Sequence, residues 1–343
     1  MTLSATHAPL VSIVIPTCNR REVLARCLAA LAIQSYPRFE IIVVDDGSTD
    51  DTAAMLADFR AKHPKVAFRN FFNERHSGAN VSRNRGIREA CGDIVAFLDS
   101  DCIAEPDWLD RLIAEFVEAR VAAVTGLVTD PPSHNIYELV LRGIARVHGR
   151  GEAPRLVGGN MAVRMERLAS LHFDEDARWK SDRSSTTVAS PICDEESIFL
   201  SLRAQGWSQR VAPGAVVLHD HHYDRSSFFR HAWAGGKAAA FLVYKYCLPP
   251  RLDLLPLFLT YATAPLIALD PRWGVVPLAF LLATIAALLY NETARKAKSL
   301  GEALVGFPLL LVYYHVRLAG YLFEAFRLRL GIRKAERIRL GKE

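Results

Sequence analysis

The chain has 343 residues and a net charge of +5; half of its residues are apolar, and its mean hydropathy of +0.10 is high for a protein that works only in water. Its length suits one domain of about 240 residues with an appendage. Six cysteines without paired metal-ligand spacing exclude a cysteine-caged metal and agree with a reducing compartment, and no repeat or low-complexity tract stands out.

In chain order, Leu10-Val11-Ser12-Ile13-Val14-Ile15 is a short apolar run stopped by Pro16, and Glu40-Ile41-Ile42-Val43-Val44-Asp45-Asp46 is a second, ended by Gly47-Ser48-Thr49-Asp50. Runs of this kind predict strands buried on both faces. Between them Val23, Leu24, Cys27, Leu28 and Leu31 recur at helical spacing, and Ser48 or Thr49 followed by acids signals the start of a helix through Met55, Leu56 and Phe59. A weaker strand follows over 66–72, then a helix over 80–90, then the run Asp93-Ile94-Val95-Ala96-Phe97-Leu98-Asp99-Ser100-Asp101. This alternation predicts right-handed crossovers and a mostly parallel sheet, with ligands at the carboxyl ends of its strands. Thr17, Asp46 and Asp101 converge there. Continued as a strand, Asp99 and Asp101 point the same way. Two hard oxygen donors in that place suit a Mg²⁺ or Mn²⁺ that also takes phosphate oxygens, although paired acids at a strand end also begin turns or cap helices. Asp46-Gly47-Ser48-Thr49-Asp50 is no calcium loop, because the loop glycine and the bidentate glutamate are missing at their offsets.

Four segments taken together, Val11 to Arg20, Val43 to Asp50, Ser82-Arg83-Asn84-Arg85-Gly86-Ile87 and Phe97-Leu98-Asp99-Ser100-Asp101, resemble the family 2 glycosyltransferases with a GT-A fold, in the family's order and near its spacing. The resemblance covers about residues 10–240. It implies a nucleotide-sugar pocket formed by Pro16, Thr17, Cys18, Asn19, Arg20, Asp46, Arg83, Asp99 and Ser100, in which Asp46 accepts a hydrogen bond from a base edge and Arg83 faces the donor diphosphate. A carboxylate accepts only, so it suits a base that offers a ring N–H. Cys18 stands where the family often has an aromatic residue able to stack on the base. Arg88, by contrast, reads as part of a solvated basic face.

Later segments extend the likeness. Leu156-Val157-Gly158-Gly159-Asn160-Met161-Ala162-Val163-Arg164 resembles the family's strand and turn below the acceptor, which places Gly159 and Asn160 on the acceptor side; an ordinary tight turn is the competing reading. Asp174 to Ser190, polar and poor in large apolar residues, reads as an acceptor loop. Counting back from Gly206, Asp194 and Glu195 align with the family's acidic pair at a helix start, in reversed order. Glu195 is assigned as the base that strips the acceptor hydroxyl, with Asp194 as the alternative; acids there also complement a helix dipole. Val211 to Leu218 read as a strand delivering His219, which matches a family histidine able to complete a metal site with Asp101 and Asp99. His221 and His222 read as surface side chains.

The apolar excess is local. Residues 254–269 and 273–290 are two uncharged runs near the length that spans a bilayer, about 17–25 residues. A third run, 303–326, contains His315 and Arg317 and reads as an interfacial helix; the tail 327–343 carries seven basic residues against two acids and suits anionic headgroups. With no aromatic stacking platform beside it, the tail does not suggest nucleic acid. The first residues lack a basic region followed by a long apolar stretch, which leaves the catalytic domain expected on the cytoplasmic side of the inner membrane.

The sequence thus predicts a GT-A domain over 1–240 and a membrane region over 241–343. The expected activity is inverting, Mg²⁺- or Mn²⁺-dependent transfer from a nucleotide-diphosphate sugar to a saccharide or lipid-linked saccharide. The alternatives are transfer to a polyprenyl phosphate and a non-catalytic nucleotide-sugar-binding scaffold at membrane lipids. A nucleotidyltransferase is disfavoured because Pro16-Thr17-Cys18-Asn19-Arg20 has no glycine to bring backbone N–H groups onto a triphosphate.

Overall fold

The computed structural model describes residues 8–141, 156–169, 171–175, 195–248, 254–295 and 298–332. The first half repeats one unit: β1 (Val11–Thr17), α1 (Arg21–Leu31), β2 (Phe39–Asp45), α2 (Thr52–Lys62), β3 (Ala67–Phe72), α3 (Ala79–Glu89) and β4 (Ile94–Leu98). The second half is more irregular: β5 (Cys102–Ala104), α4 (Trp108–Ile113), β6 (Val121–Thr129), α5 (Ile136–Leu141), β7 (Asn160–Arg164), α6 (Met165–Leu168), α7 (Glu196–Ala204) and β8 (Ser208–His219). All eight strands join one sheet of order β3-β2-β1-β4-β7-β6-β8-β5. The pairs β1–β2, β1–β4, β2–β3 and β6–β8 are parallel, and β7 and β5 run against their neighbours.

Every residue of β1 and β4 is buried, as two-sided burial of a central parallel strand requires. On one face Leu24 and Leu28 of α1, Phe59 of α2 and Trp108 of α4 pack with Ile13, Val43 and Leu98. On the other, Phe173, Ile198 and Phe199 pack with Val14, Val44 and Phe97. Parallel register sets Thr17 beside Asp45 and Val14 beside Phe97, so the carboxyl ends of β1, β2 and β4 open on the same edge of the sheet, with β4 ending about two residues earlier.

One buried acid ties three elements of this sheet together. Glu40 Oε1 accepts from Ser12 Oγ at 2.6 Å and from the Cys91 backbone N–H at 2.9 Å, while Arg69 Nη2 donates to Oε2 at 2.7 Å. Burial favours the neutral acid, yet the Ser12 hydroxyl, the Cys91 amide and the Arg69 guanidinium together lower the Glu40 pKa below its ordinary 4.5. A lowered native pKa stabilises the fold above the unfolded value and loses that contribution as pH falls through the native one. Urea midpoints measured from pH 7 down to pH 3 should therefore fall less steeply for Glu40→Gln than for the parent chain.

Beyond the sheet, α8 (Arg225–Lys245) begins at a capping box in which Asp224 accepts from the Ser227 backbone N–H. The boundary expected at residue 240 falls inside this helix. After it come α9 (Leu255–Thr263), continued by a 3₁₀ run Ala264–Ala268, then α10 (Val275–Tyr290) and α11 (Leu300–Arg329). Among the described residues, two helices are long and apolar enough to cross a membrane, Pro271–Thr293 with mean hydropathy 2.1 and Leu300–Arg329 with 1.4. Leu255–Ala268 is shorter. At helical rise it reaches roughly 20–24 Å, against the ~30 Å of a bilayer core.

Helix α11 is amphipathic in the inverted sense. The residues it buries include Tyr313, Arg317, Gly320 and Glu324, whereas its outward stripe carries Leu304, Val305, Val312, Leu322, Phe323, Phe326 and Leu330. A helix facing water shows the opposite arrangement. It is seated on α8 through two glycines: a Cβ on Gly236 would stand 1.9 Å from the Arg317 carbonyl oxygen, and one on Gly320 would stand 2.5 Å from that of Trp233. Phe228 packs on Tyr313 and Trp233 on Phe323, so the two helices run in the same direction.

Candidate active site

The site is built at the carboxyl ends of β1, β2 and β4. Chain order brings the β1–α1 turn, the β2–α2 turn, the start of α3 and the end of β8 around the segment Asp99-Ser100-Asp101. Because β4 ends at Leu98, the two aspartates lie in the turn beyond it, where strand alternation no longer sets their directions. They face different partners. Arg83 Nη2 donates to Asp99 Oδ1 at 2.7 Å from the first turns of α3, and this guanidinium lies 5.4 Å from the Phe173 ring centroid. Asp99 Oδ2 lies over Gly159, where a Cβ would meet it at 2.7 Å, so only glycine leaves the carboxylate that room. Asp99, expected as a metal ligand, is thus turned to Arg83.

Asp101 is 5% exposed and stands at the other corner. Its Oδ2 accepts from Arg20 Nη1 at 2.7 Å and lies 3.1 Å from His221 Nδ1; its Oδ1 lies 3.5 Å from His219 Nε2. The backbone fixes this corner too, because the Asp220 N–H donates to the Asp101 carbonyl and His219 is the register partner of Cys102 across β5 and β8. Burial favours a neutral Asp101, but the Arg20 guanidinium and then the His219 and His221 imidazoles overturn that and hold its carboxyl well below the ordinary range. Burial likewise opposes charge on His219, and Asp101 overcomes it, pushing the imidazole up to about 9.

Among the described residues, Asp101 Oδ1 and Thr17 Oγ1 are buried atoms with no hydrogen-bond partner. An orphaned carboxylate oxygen beside an imidazole nitrogen fits a divalent cation that needs oxygen and nitrogen donors. Asp101 and His219 are therefore the expected metal residues that the structure brings together. His221, read from the sequence as a surface residue, reaches Asp101 as well, and it stacks on His219 with ring centroids 5.3 Å apart. Its signal was its place two residues beyond His219.

The expected nucleotide pocket is partly framework. Asn19, in the left-handed region at φ 51°, donates its N–H to Ser48 Oγ, and its Oδ1 accepts from the Thr49 N–H at 2.7 Å. Asp46 is 3% exposed; it accepts from the Ser77 and Gly78 N–H groups, from Asn73 Nδ2 and from His76 Nδ1 at 2.6–3.0 Å. That carboxylate, expected to read a base edge, here holds the β3–α3 loop. Cys18 is half-buried, and burial, then Asp46 and Asp45, push its thiol up to about 11. Pro16 ends β1 with Thr17, and Ser100 is buried between the aspartates.

On the acceptor side, Asn160 is fully buried: its Oδ1 accepts from Trp108 Nε1 at 2.8 Å and its Nδ2 donates to the Leu127 and Ala215 carbonyls. Its side chain braces β6, β7 and β8, which differs from the expected acceptor contact. Glu195 precedes α7, and its Oε2 would stand 3.2 Å from a Cβ on Gly158, whose next neighbour at 3.6 Å would be Arg83 Nη2. The expected base thus shares the Gly158–Gly159 turn with the Arg83–Asp99 pair. Asp194 and most of the expected acceptor loop lie outside the described residues. The loop's entry is pinned by Asp174, which accepts from Lys245 Nζ at 2.7 Å and from Tyr246 Oη, while its carbonyl accepts from Asn80 Nδ2 on α3.

A sheet of this order, with paired aspartates beyond its central strand and an arginine of the preceding helix on the first of them, defines a GT-A domain. Residues 12–168 match the family described as Glycosyl transferase family 2. Glycosyltransferase AglE of Haloferax volcanii is 34% identical over 122 residues, 35% of this chain and 40% of its own length. The putative teichuronic acid biosynthesis glycosyltransferase TuaG of Bacillus subtilis is 36% identical over 115 residues, 34% of this chain and 44% of its own length. The aligned stretch thus spans less than half of these curated relatives. Among solved structures, mannosyltransferase PcManGT from Pyrobaculum calidifontis, in complex with GDP-Man and Mn²⁺, covers 93% of this chain and 89% of its own with a TM-score of 0.59 at 20% identity, a likeness of fold.

Proposed function

We propose that the chain transfers a sugar, with inversion, from a nucleoside-diphosphate donor to a saccharide or lipid-linked saccharide held at the cytoplasmic face of a membrane, with Mg²⁺ or Mn²⁺ as cofactor. The observation that carries this reading is the convergence of three groups at one sheet end: the Asp101–His219 corner, the Arg83–Asp99 pair and Glu195 on the Gly158–Gly159 turn. Asp101 and His219 would hold the cation, which when bound supplies positive charge to the diphosphate as it leaves.

This chain's own residues account for the remaining steps. Arg83 is buried and charged, ready to meet a phosphate oxygen in exchange for part of its bond to Asp99. Glu195 takes the proton of the acceptor hydroxyl as that oxygen bonds to the anomeric carbon, while the bond from that carbon to the phosphate oxygen breaks and its electrons leave with the diphosphate. Attack from the face opposite the leaving group inverts the centre. Glu195→Gln keeps the size and removes the base, so turnover with a neutral sugar acceptor should fall by about 10²–10⁴-fold with the donor KM little changed. A near-normal rate would exclude Glu195 as the base; on a polyprenyl phosphate acceptor, already anionic, the same substitution should cost little.

Membrane placement is supported by the two long apolar helices and by the outward apolar stripe of α11. In this reading the basic tail from Arg327 meets anionic headgroups, and α11 lies with its stripe in the lipid.

A further inference from the structure

Beside the carboxylate–imidazole corner lies a thiol that the proposed transfer does not use. Cys102 is 1% exposed, and it is held opposite His219 by the register of β5 and β8. The ligand-bearing atoms of Asp101, Cys102 and His219 all lie within 4.8 Å of one another. Asp101 Oδ1, one of the buried oxygens without a hydrogen bond among the described residues, is one of the groups at this meeting point. Mg²⁺ and Mn²⁺ take chiefly oxygen donors, Mn²⁺ with an imidazole beside them, and leave a thiol alone, whereas Zn²⁺ combines sulfur, nitrogen and oxygen in a tetrahedron with bonds of about 2.0–2.3 Å. Three such donors at this spacing need only small inward shifts to share one ion.

We propose that Asp101, Cys102 and His219 form a three-ligand Zn²⁺ site that overlaps the activating-cation site and arrests the enzyme when filled. The inference rests on the proposed cation site at Asp101 and adds the sulfur. The Cys102 S–H proton and the proton that His219 shares with Asp101 pass to water as the sulfur–zinc and nitrogen–zinc bonds form, and nothing is oxidised or reduced. Carboxylate and thiolate then balance the charge of the ion, and a fourth position remains for water or a phosphate oxygen. Zinc wins the competition because mixed nitrogen, oxygen and sulfur sites bind it more tightly than manganese.

The test uses the full chain in detergent with Co²⁺ as a spectroscopic stand-in for Zn²⁺. The expected result is a thiolate-to-cobalt charge-transfer band that Zn²⁺ abolishes, that Cys102→Ala removes, and that His219→Ala also removes although it keeps every cysteine. Zn²⁺ affinity should fall at least ~100-fold in Cys102→Ala, since losing even an outer partner of a ligand costs about 10–100-fold. Mn²⁺ binding followed by electron paramagnetic resonance should be the same in Cys102→Ala and the parent. No band in the parent, or a band that survives in either variant, overturns the inference. A parent chain that binds no Mn²⁺ counts against the activating-cation reading, while the cobalt band alone judges the zinc site. Should Cys102→Ala lose its cooperative melt, Cys102→Ser and His219→Ala carry the same test.

Discussion

Asp101→Asn is expected to lower transfer from a sugar nucleotide by about a thousandfold, the scale of losing one electrostatic element aimed at a developing charge. Asparagine keeps the shape of the side chain and its bond to Arg20. It removes the negative charge against which Arg20 and His219 are arrayed at 2.7 and 3.5 Å. A cation then has only one neutral amide and one imidazole to bind. The same change leaves the partly buried Arg20 without its ion partner, at a cost of about 1–3 kcal/mol. Activity and folding must therefore be read together. Calorimetric titration of Mn²⁺ with a nucleotide sugar, on protein shown by its thermal melt to be folded, separates them. Donor capture by folded Asp101→Asn as tight as in the parent would overturn the assignment of residue 101.

Gly236→Val is expected to be the most damaging single change outside the site. The atom opposite Gly236 is a backbone carbonyl oxygen of α11, and the first carbon of any side chain there would stand 1.9 Å from it. No rotamer relieves such a clash, so α8 and α11 must separate along a contact that includes Phe228 on Tyr313 and Phe241 with Leu328. Overpacking ordinarily costs about 1–3 kcal/mol, and a backbone clash at a helix crossing lies above that range. A loss above ~3 kcal/mol, with a melting temperature lower by ~6 °C or more, is the expected outcome. Gly301→Ala is the control: it lies in the first turn of the partner helix α11 with nothing within 4 Å of its added carbon, and it should be neutral or stabilise by up to about 0.5 kcal/mol. Equal melting of Gly236→Val and the parent would show that the two helices are not held backbone to backbone.

The first half of the fold was legible because its strands are buried on both faces and its helices on one. Val11 to Thr17 and Ile94 to Leu98 are continuous apolar runs for that reason, and periodicity finds such runs. The second half was harder to read. Helix α8 carries Gly235, Gly236 and a run of alanines, so its sequence shows no strong stripe; small residues serve the crossing with α11, a partner far along the chain. The direction of Asp99 escaped because strand alternation was carried past Leu98, where the strand had ended. Asp46 and Asn160 were recognised as important positions, yet a sequence does not tell a side chain that meets a ligand from one that ties neighbouring loops or strands together. In α11 the signal was present: Arg317 and Glu324 are seven residues apart and therefore on one face, and that face was the one turned inward.

The short tether between β8 and α8 has a consequence for reach. Five residues, 220–224, join His219 to the helix on which α11 is seated. A stretch of that length extends no further than about 20 Å. In the proposed membrane reading, the reactive corner would be leashed at a limited distance from the surface on which the oily seam of α11 settles. A transferase so held would act as a gauge of height, favouring acceptor hydroxyls presented near that clearance.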